Sequence, residues 1–138
     1  MCIRDREIKI QIGNAFVEEG KEQKYRQLEV KGRDFQTGLP RLLVLDEINI
    51  NEAIHKPLKQ ILEGVKEVLS QVPPELAADI VDKGIVLSGG SALLTNIERY
   101  FTYYLGVNTF VIEDPLFCVI RGLGMILENF NSFKDSIR

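Results

Sequence analysis

The run from Lys83 to Leu94 reads Lys-Gly-Ile-Val-Leu-Ser-Gly-Gly-Ser-Ala-Leu-Leu, and its residue types could seat a ligand. Ile85, Val86 and Leu87 stand together before a breaker, which predicts a short strand covered on both faces. Gly89 and Gly90 can take backbone angles closed to other residues and allow a ligand close to the main chain. A helix beginning near Ser91 would point its free N–H groups back at that turn. A strand, a glycine pair and a helix in this order make a candidate nucleotide seat. The motif alone does not decide it, because many α/β proteins turn such a corner and bind nothing.

Other reactive side chains are sparse. His55 is the single histidine and has no cysteine or histidine at metal-ligand spacing, so it reads as a helix-surface residue. Cys2 and Cys118 lie far apart without a CxxC pattern, which fits reduced thiols rather than a disulfide framework. The 138 residues suffice for one domain, and 45% hydrophobic with 27% charged residues is ordinary for a globular protein. A net charge of −3 with scattered Lys and Arg argues against a nucleic-acid surface. No apolar run approaches the roughly 20 residues of a membrane span. No secretory signal is visible, and the expected compartment is the cytoplasm.

The elements that must position the corner follow from periodicity. Ile8, Ile12 and Ala15 fall at helical spacing, the end of a helix. Residues 18–22 read as a solvated connection. Gln27 to Lys31 alternates polar and apolar, Gly38 and Pro40 mark a turn, and Arg41 to Leu45 gives a second strand, together an antiparallel hairpin. A long helical region follows, capped by Asn49 or Asn51, with Pro57 expected to kink or divide it. Leu58, Ile61, Leu62, Val65, Val68, Leu69 and Val72 then form one apolar stripe, a core face. Pro73 and Pro74 stop that helix and start a shorter one with Leu76, Ala77, Ile80 and Val81 inward, ending at Gly84.

Beyond the corner, Leu93, Leu94, Ile97, Tyr100, Phe101 and Tyr104 line an amphipathic helix closed by Gly106, and Val107 to Ile112 is a β-branched strand. Asp114 followed by Pro115 reads as a helix cap and first helical position. Cys118, Gly122 and Met125 share a face of that last helix, a small-residue face that either admits a neighbouring backbone or is merely tolerated. Helices alternating with strands after Pro57 imply an α/β fold with a mainly parallel sheet, the hairpin lying outside it. Val86 and Val111 should then sit in neighbouring parallel strands, and Val30 and Val44 in the separate antiparallel pair.

Taken in order, Glu7 to Ala15, Val30 to Arg33, Gly38 to Arg41, Pro73 to Ile80, Gly84 to Leu94 and Glu113 to Gly124 resemble the C-terminal part of the MreB family, bacterial actin-like filament proteins that determine rod shape. The resemblance covers essentially everything after Arg6. Met1 to Arg6 looks like translated adaptor sequence, and Arg6 stands where an acidic residue is expected. The resemblance implies an actin-like (ribonuclease-H-like) ATPase fold with nucleotide between two large halves, of which this chain would be a truncated piece. Residues 1–6 would be a non-native leader, 7–55 a small hairpin subdomain and 56–114 an adenosine-side core. Residues 115–138 would form a helix returning toward the missing half.

By the same resemblance, Gly89, Gly90, Ser91, Ala92 and Leu93 would contact the adenosine part of ATP. Glu7, Ile8 and Lys9 would flank its ribose and adenine. Ser91 stands where a third glycine is common. The phosphate loops, the catalytic acid and the magnesium site of the family match nothing in this chain, so the chain alone is expected to be inactive. Implied partners are further copies in a filament, the cell-wall elongation machinery, and the inner membrane surface through parts not present. Implied localisation is cytoplasmic, at the inner face of that membrane. Another actin-fold ATPase (a chaperone or a sugar kinase) would call for substrate or peptide-binding insertions that the sequence does not show. A non-enzymatic binding module is disfavoured by a sheet that looks cut off on its N-terminal side.

Overall fold

A computed structural model describes residues 3–17 and 25–133, so the expected connection at 18–22 and Cys2 lie outside the described residues. Helix α1 spans Ile3–Ile12, and strands β1 (Gln27–Arg33) and β2 (Pro40–Asp46) pair antiparallel, Val30 opposite Leu43 and Glu29 opposite Val44. Helices α2 (Glu47–Gln71) and α3 (Pro74–Lys83) lead to strand β3 (Ile85–Leu87). A 3₁₀ turn at Gly90–Leu93 precedes α4 (Ile97–Leu105), β4 (Thr109–Val111), α5 (Cys118–Glu128) and α6 (Phe130–Phe133). Strands β3 and β4 run parallel with Val86 opposite Phe110 and Leu87 opposite Val111. The two predicted pairings are therefore both present, in separate sheets.

Several local expectations give way to geometry. Helix α2 is capped by Asp46, whose side chain accepts from Asn49 N while Asn49 Oδ1 accepts from Asp46 N. Asn49 thus closes a capping box from the third helical position rather than being the cap. Asn51 caps nothing; its amide donates to Asn14 O at 2.8 Å. Pro57 lies inside an unbroken α2, so the helix tolerates the lost N–H donor because its apolar face is anchored on either side. Leu58 and Leu62 are buried, while Ile61 and Val68 are more than half exposed, so the stripe is only partly used. In α3, Ala77 and Ile80 turn inward and Leu76 and Val81 do not.

The core joins Ala15, Leu58, Leu62, Ile97, Tyr100 and Phe101, with Phe16, Ile54, Leu87, Leu94, Leu105 and Val111 packed against it. Burying each large side chain contributes about 1.5–3 kcal/mol, enough to hold α2, α4 and the β3–β4 sheet as one body. Burial raises the Tyr100 hydroxyl above its ordinary pKa, helped by nearby Tyr104 and Glu63. Val86 is half exposed, so β3 is not covered on both faces among the described residues. At the hairpin tip, Asp34 accepts from Thr37 N and Gln36 N and pairs with Arg41. These contacts, the Thr37 amide foremost, hold its carboxyl below the ordinary value.

Candidate functional site

The corner begins where β3 ends. Gly89 takes φ +87°, a left-handed conformation that side chains rarely adopt, and its N–H donates to Pro115 O at 2.8 Å. No helix starts at Ser91. Instead Gly90–Leu93 makes one 3₁₀ turn closed by Ala92 N to Gly89 O and Leu94 N to Ser91 O, and Asn96 at φ +59° redirects the chain into α4. A left-handed asparagine is tolerable because its short amide bonds locally. The first N–H groups of such a turn have no partner within it and face outward.

A side chain on Gly89 would meet nothing within 4 Å, and one on Gly90 would touch Leu116 Cδ2 at 3.3 Å. Ser91 and Leu93 are exposed, while Ala92 is buried and fixes the turn to the body. The corner is thus an open, side-chain-poor surface roofed on one side by Leu116.

Glu7, Ile8 and Lys9 lie on α1. Glu7 and Ile8 line an open groove of about 460 Å³ with Gln11, Leu28, Glu29, Val30 and Lys31, and Lys9 is exposed. That groove contains no residue of the glycine corner. The end of α1 runs instead against Thr95, just past the corner. Gly13 N donates to Lys9 O at 3.0 Å, Asn14 bridges to Thr95 in parallel pairing, and Ala15 N donates to Thr95 O at 2.8 Å. A side chain at Gly13 would fall 2.2 Å from Lys9 O of its own helix and 2.7 Å from Leu94 Cδ1, so the end of α1 packs closely on the Leu94 side chain.

A polar cluster that the sequence did not announce surrounds this junction. Asn14 Oδ1 accepts from Phe16 N and from the Asn96 amide, which also donates to Phe16 O. The Arg26 guanidinium donates to Glu47 Oε1, to Gln11 O at 3.2 Å and to Thr95 Oγ1 at 3.3 Å. Isolated polar residues in loops carry no periodic signal, and Asn96 fell inside the stretch that periodicity assigned to a helix.

The last predicted helix also starts late. Asp114 is left-handed at φ +50° and accepts from Phe117 N, residues 115–117 form a turn, and α5 begins at Cys118. Asp114 therefore does not cap Pro115; its carboxylate pairs with Arg121. Nothing lies within 4 Å of a side chain placed at Gly122 or Gly124, and Met125 is exposed, so the small face meets no backbone among the described residues. His55 is exposed, and no group of His, Cys, Asp or Glu among the described residues could hold a metal ion.

The sequence pattern of the family described as MreB/Mbl protein matches residues 3–135. The chain belongs to the MreB/Mbl family. The cell shape-determining protein MreB of Escherichia coli K12 is 44% identical over 121 residues, 88% of this chain and 34% of that protein. The cell shape-determining protein Mbl of Bacillus cereus (strain ATCC 10987 / NRS 248) is 40% identical over 125 residues, 91% of this chain and 36% of that protein. The chain spans about a third of the length of these curated relatives. Among solved structures, MreB5 of Spiroplasma citri bound to ADP superimposes with a TM-score of 0.83 at 31% identity, covering 94% of this chain and 38% of that one. The fold of this MreB/Mbl chain is accordingly actin-like, a small antiparallel hairpin beside a parallel sheet.

Proposed function

We propose that this chain supplies the adenosine-side part of an ATP-binding, filament-forming actin homologue that determines rod cell shape by organising cell-wall synthesis. The observation that carries the reading is the Gly89–Leu93 corner whose following residue Thr95 pairs with Asn14 and Ala15 just past α1, in a chain whose solved relatives include MreB5 bound to ADP and bound to AMPPNP. Gly89, Gly90, Ser91, Ala92 and Leu93 would lie along the adenosine, with Glu7, Ile8 and Lys9 on its ribose and adenine side. Residues 7–55 would act as the hairpin subdomain and 56–114 as the core, joined through α2, which crosses residues 55 and 56 unbroken. Residues 115–138 would continue toward the other half. Residues 1–6 would stand outside the functional unit.

The γ-phosphate and magnesium belong, in this reading, to the remaining two thirds of the family's length. Partners follow from it: further copies along a filament and the wall-elongation machinery, at the cytoplasmic face of the inner membrane, with no nucleic acid. The test is NMR titration of the chain with AMP, ADP and ATP, with and without magnesium. Adenosine contacts alone should give dissociation constants near 1 mM, about −4 kcal/mol. The three nucleotides should agree within about twofold, indifferent to magnesium; contacts to phosphate would instead add charge-assisted bonds and separate ATP and ADP from AMP. Absence of binding, or shifts confined to residues far from the corner, would overturn the reading.

A further inference from the structure

We propose that Arg26 is a positioning residue that locks the hairpin, the end of α1 and the glycine corner into one setting, so that adenosine binding and hairpin orientation are coupled. The inference rests on the adenosine reading above. Arg26 sits at the base of the hairpin, just before β1, and its carbonyl accepts from Glu47 N, extending the ladder one step. From there its planar fork reaches three acceptors on three different segments. Nε meets Glu47 Oε1 at the start of α2, Nη1 meets Gln11 O in the last turn of α1, and Nη2 meets Thr95 Oγ1 two residues after the 3₁₀ turn.

Glu47 is buried, whereas the Arg26 side chain is about half exposed, so the pair is anchored on the acid's side. Around it, Asn14 and Asn96 complete the α1-to-corner seam, and Asn51 ties Asn14 to α2. Asn14, Arg26, Asn51, Thr95 and Asn96 thus form one polar junction where the chain leaves α1 and the corner. Arg26 is the member of that junction that also belongs to the hairpin. A lysine cannot reproduce it, because an ammonium is a single point donor and cannot span three acceptors in a fixed fork.

If the fork sets where Lys9 stands relative to Gly89–Leu93, then a nucleoside touching both sides binds best when the fork is closed. By reciprocity, binding holds the hairpin in the closed-fork orientation. Free energy linkage of this kind typically spans fivefold to 150-fold in affinity. The Glu47 carboxylate and the Thr95 hydroxyl act through Arg26, while the Thr95 main chain pairs with Asn14 and Ala15 independently of it.

The experiment titrates the full chain with AMP and follows backbone amide shifts in the parent, Arg26→Gln, Arg26→Lys and Thr95→Val. The parent should bind AMP with shifts at the corner that extend to β2 residues Leu42 to Leu45, which do not line the α1 groove. Arg26→Gln and Arg26→Lys should each weaken AMP about tenfold and abolish the β2 shifts. Thr95→Val, which keeps the Glu47 pair and the fold, should weaken AMP about threefold with little change in thermal midpoint. That split between affinity and midpoint is what a merely structural arginine would not give. Arg26→Lys binding AMP like the parent would overturn the fork, as would unchanged affinity in Thr95→Val; both would leave the adenosine reading standing. No AMP binding by the parent itself would overturn both.

Discussion

At Gly90 the missing side chain matters for what it leaves open rather than for backbone freedom. Its φ is not in the left-handed region, unlike that of Gly89, so a larger residue can adopt the same backbone. A Cβ there would press on Leu116 Cδ2 at 3.3 Å, a contact that a flexible leucine relieves by moving a few tenths of an ångström. Gly90→Val should therefore fold, with urea midpoint within the ±0.5 kcal/mol typical of surface changes. It should nevertheless weaken AMP by about tenfold or more, through two methyl groups standing where the nucleoside would lie. Equal AMP affinity in folded mutant and parent would show that the corner is a turn and nothing more. The residue types of this corner were legible from sequence because glycine pairs and their flanking strand are local signals. The Asn14, Arg26 and Asn96 junction was not, since its members come from segments up to 82 residues apart and each alone resembles an ordinary loop residue.

Helix α2 shows how packing overrides a local signal. Proline in a helix interior removes one hydrogen bond and crowds the preceding turn, which is why the sequence suggested a break at Pro57. The break does not occur because Asp46 and Asn49 secure the N-terminus and Leu58 and Leu62 bury themselves against Ile97, Tyr100 and Phe101 just beyond the proline. The helix is thus held on the far side of its weakest point. Pro57→Ala should restore the missing donor toward Ala53 O and stabilise the chain. Against the roughly 3 kcal/mol helix penalty of proline stands up to about 1 kcal/mol lost through a looser unfolded state. The net gain expected is about 2 kcal/mol, read as a higher urea midpoint at unchanged slope. An unchanged or lower midpoint would mean that the proline serves a bend that the fold requires. The Gly106 end of α4 was read correctly, and β1 and β2 stand where periodicity put them, though β1 runs on through Gly32 to Arg33 and β2 takes in Pro40 and Asp46 because the ladder continues across both. Those whose ends rest on left-handed non-glycine residues, Asn96 and Asp114, were misplaced by a few residues, because no sequence rule assigns such a conformation to a particular asparagine or aspartate.

Across the whole molecule, the apolar surface is distributed as in a piece that expects neighbours. On α5, Val119, Ile120, Leu123 and Leu127 are each more than half exposed, and Phe110, Leu116 and Phe117 are exposed as well. A second apolar groove, about 510 Å³, runs between α2 and α3 along Val65, Val68, Leu69 and Ile80. Contiguous patches of this kind drive association in water unless something covers them. No helix among the described residues is long and apolar enough to cross a membrane, so these faces do not form a span. Two consequences can be measured together on the purified chain. Sedimentation should show reversible association that strengthens with protein concentration and with sulfate, as hydrophobic contacts do. In the same samples, phosphate release from ATP with magnesium should stay at the uncatalysed background. Phosphoryl transfer depends on positioned charge around the γ-phosphate and its metal, and no acid cluster among the described residues could hold that metal. Glu75, Asp79 and Asp82 lie on α3 without a glycine-rich loop among them to cradle phosphates. Self-association could in principle assemble a site between copies, and the two measurements separate that case. Turnover that rises with the associated fraction would place catalytic groups at a contact between chains, whereas background release at every concentration is the outcome expected of the proposed adenosine-side role.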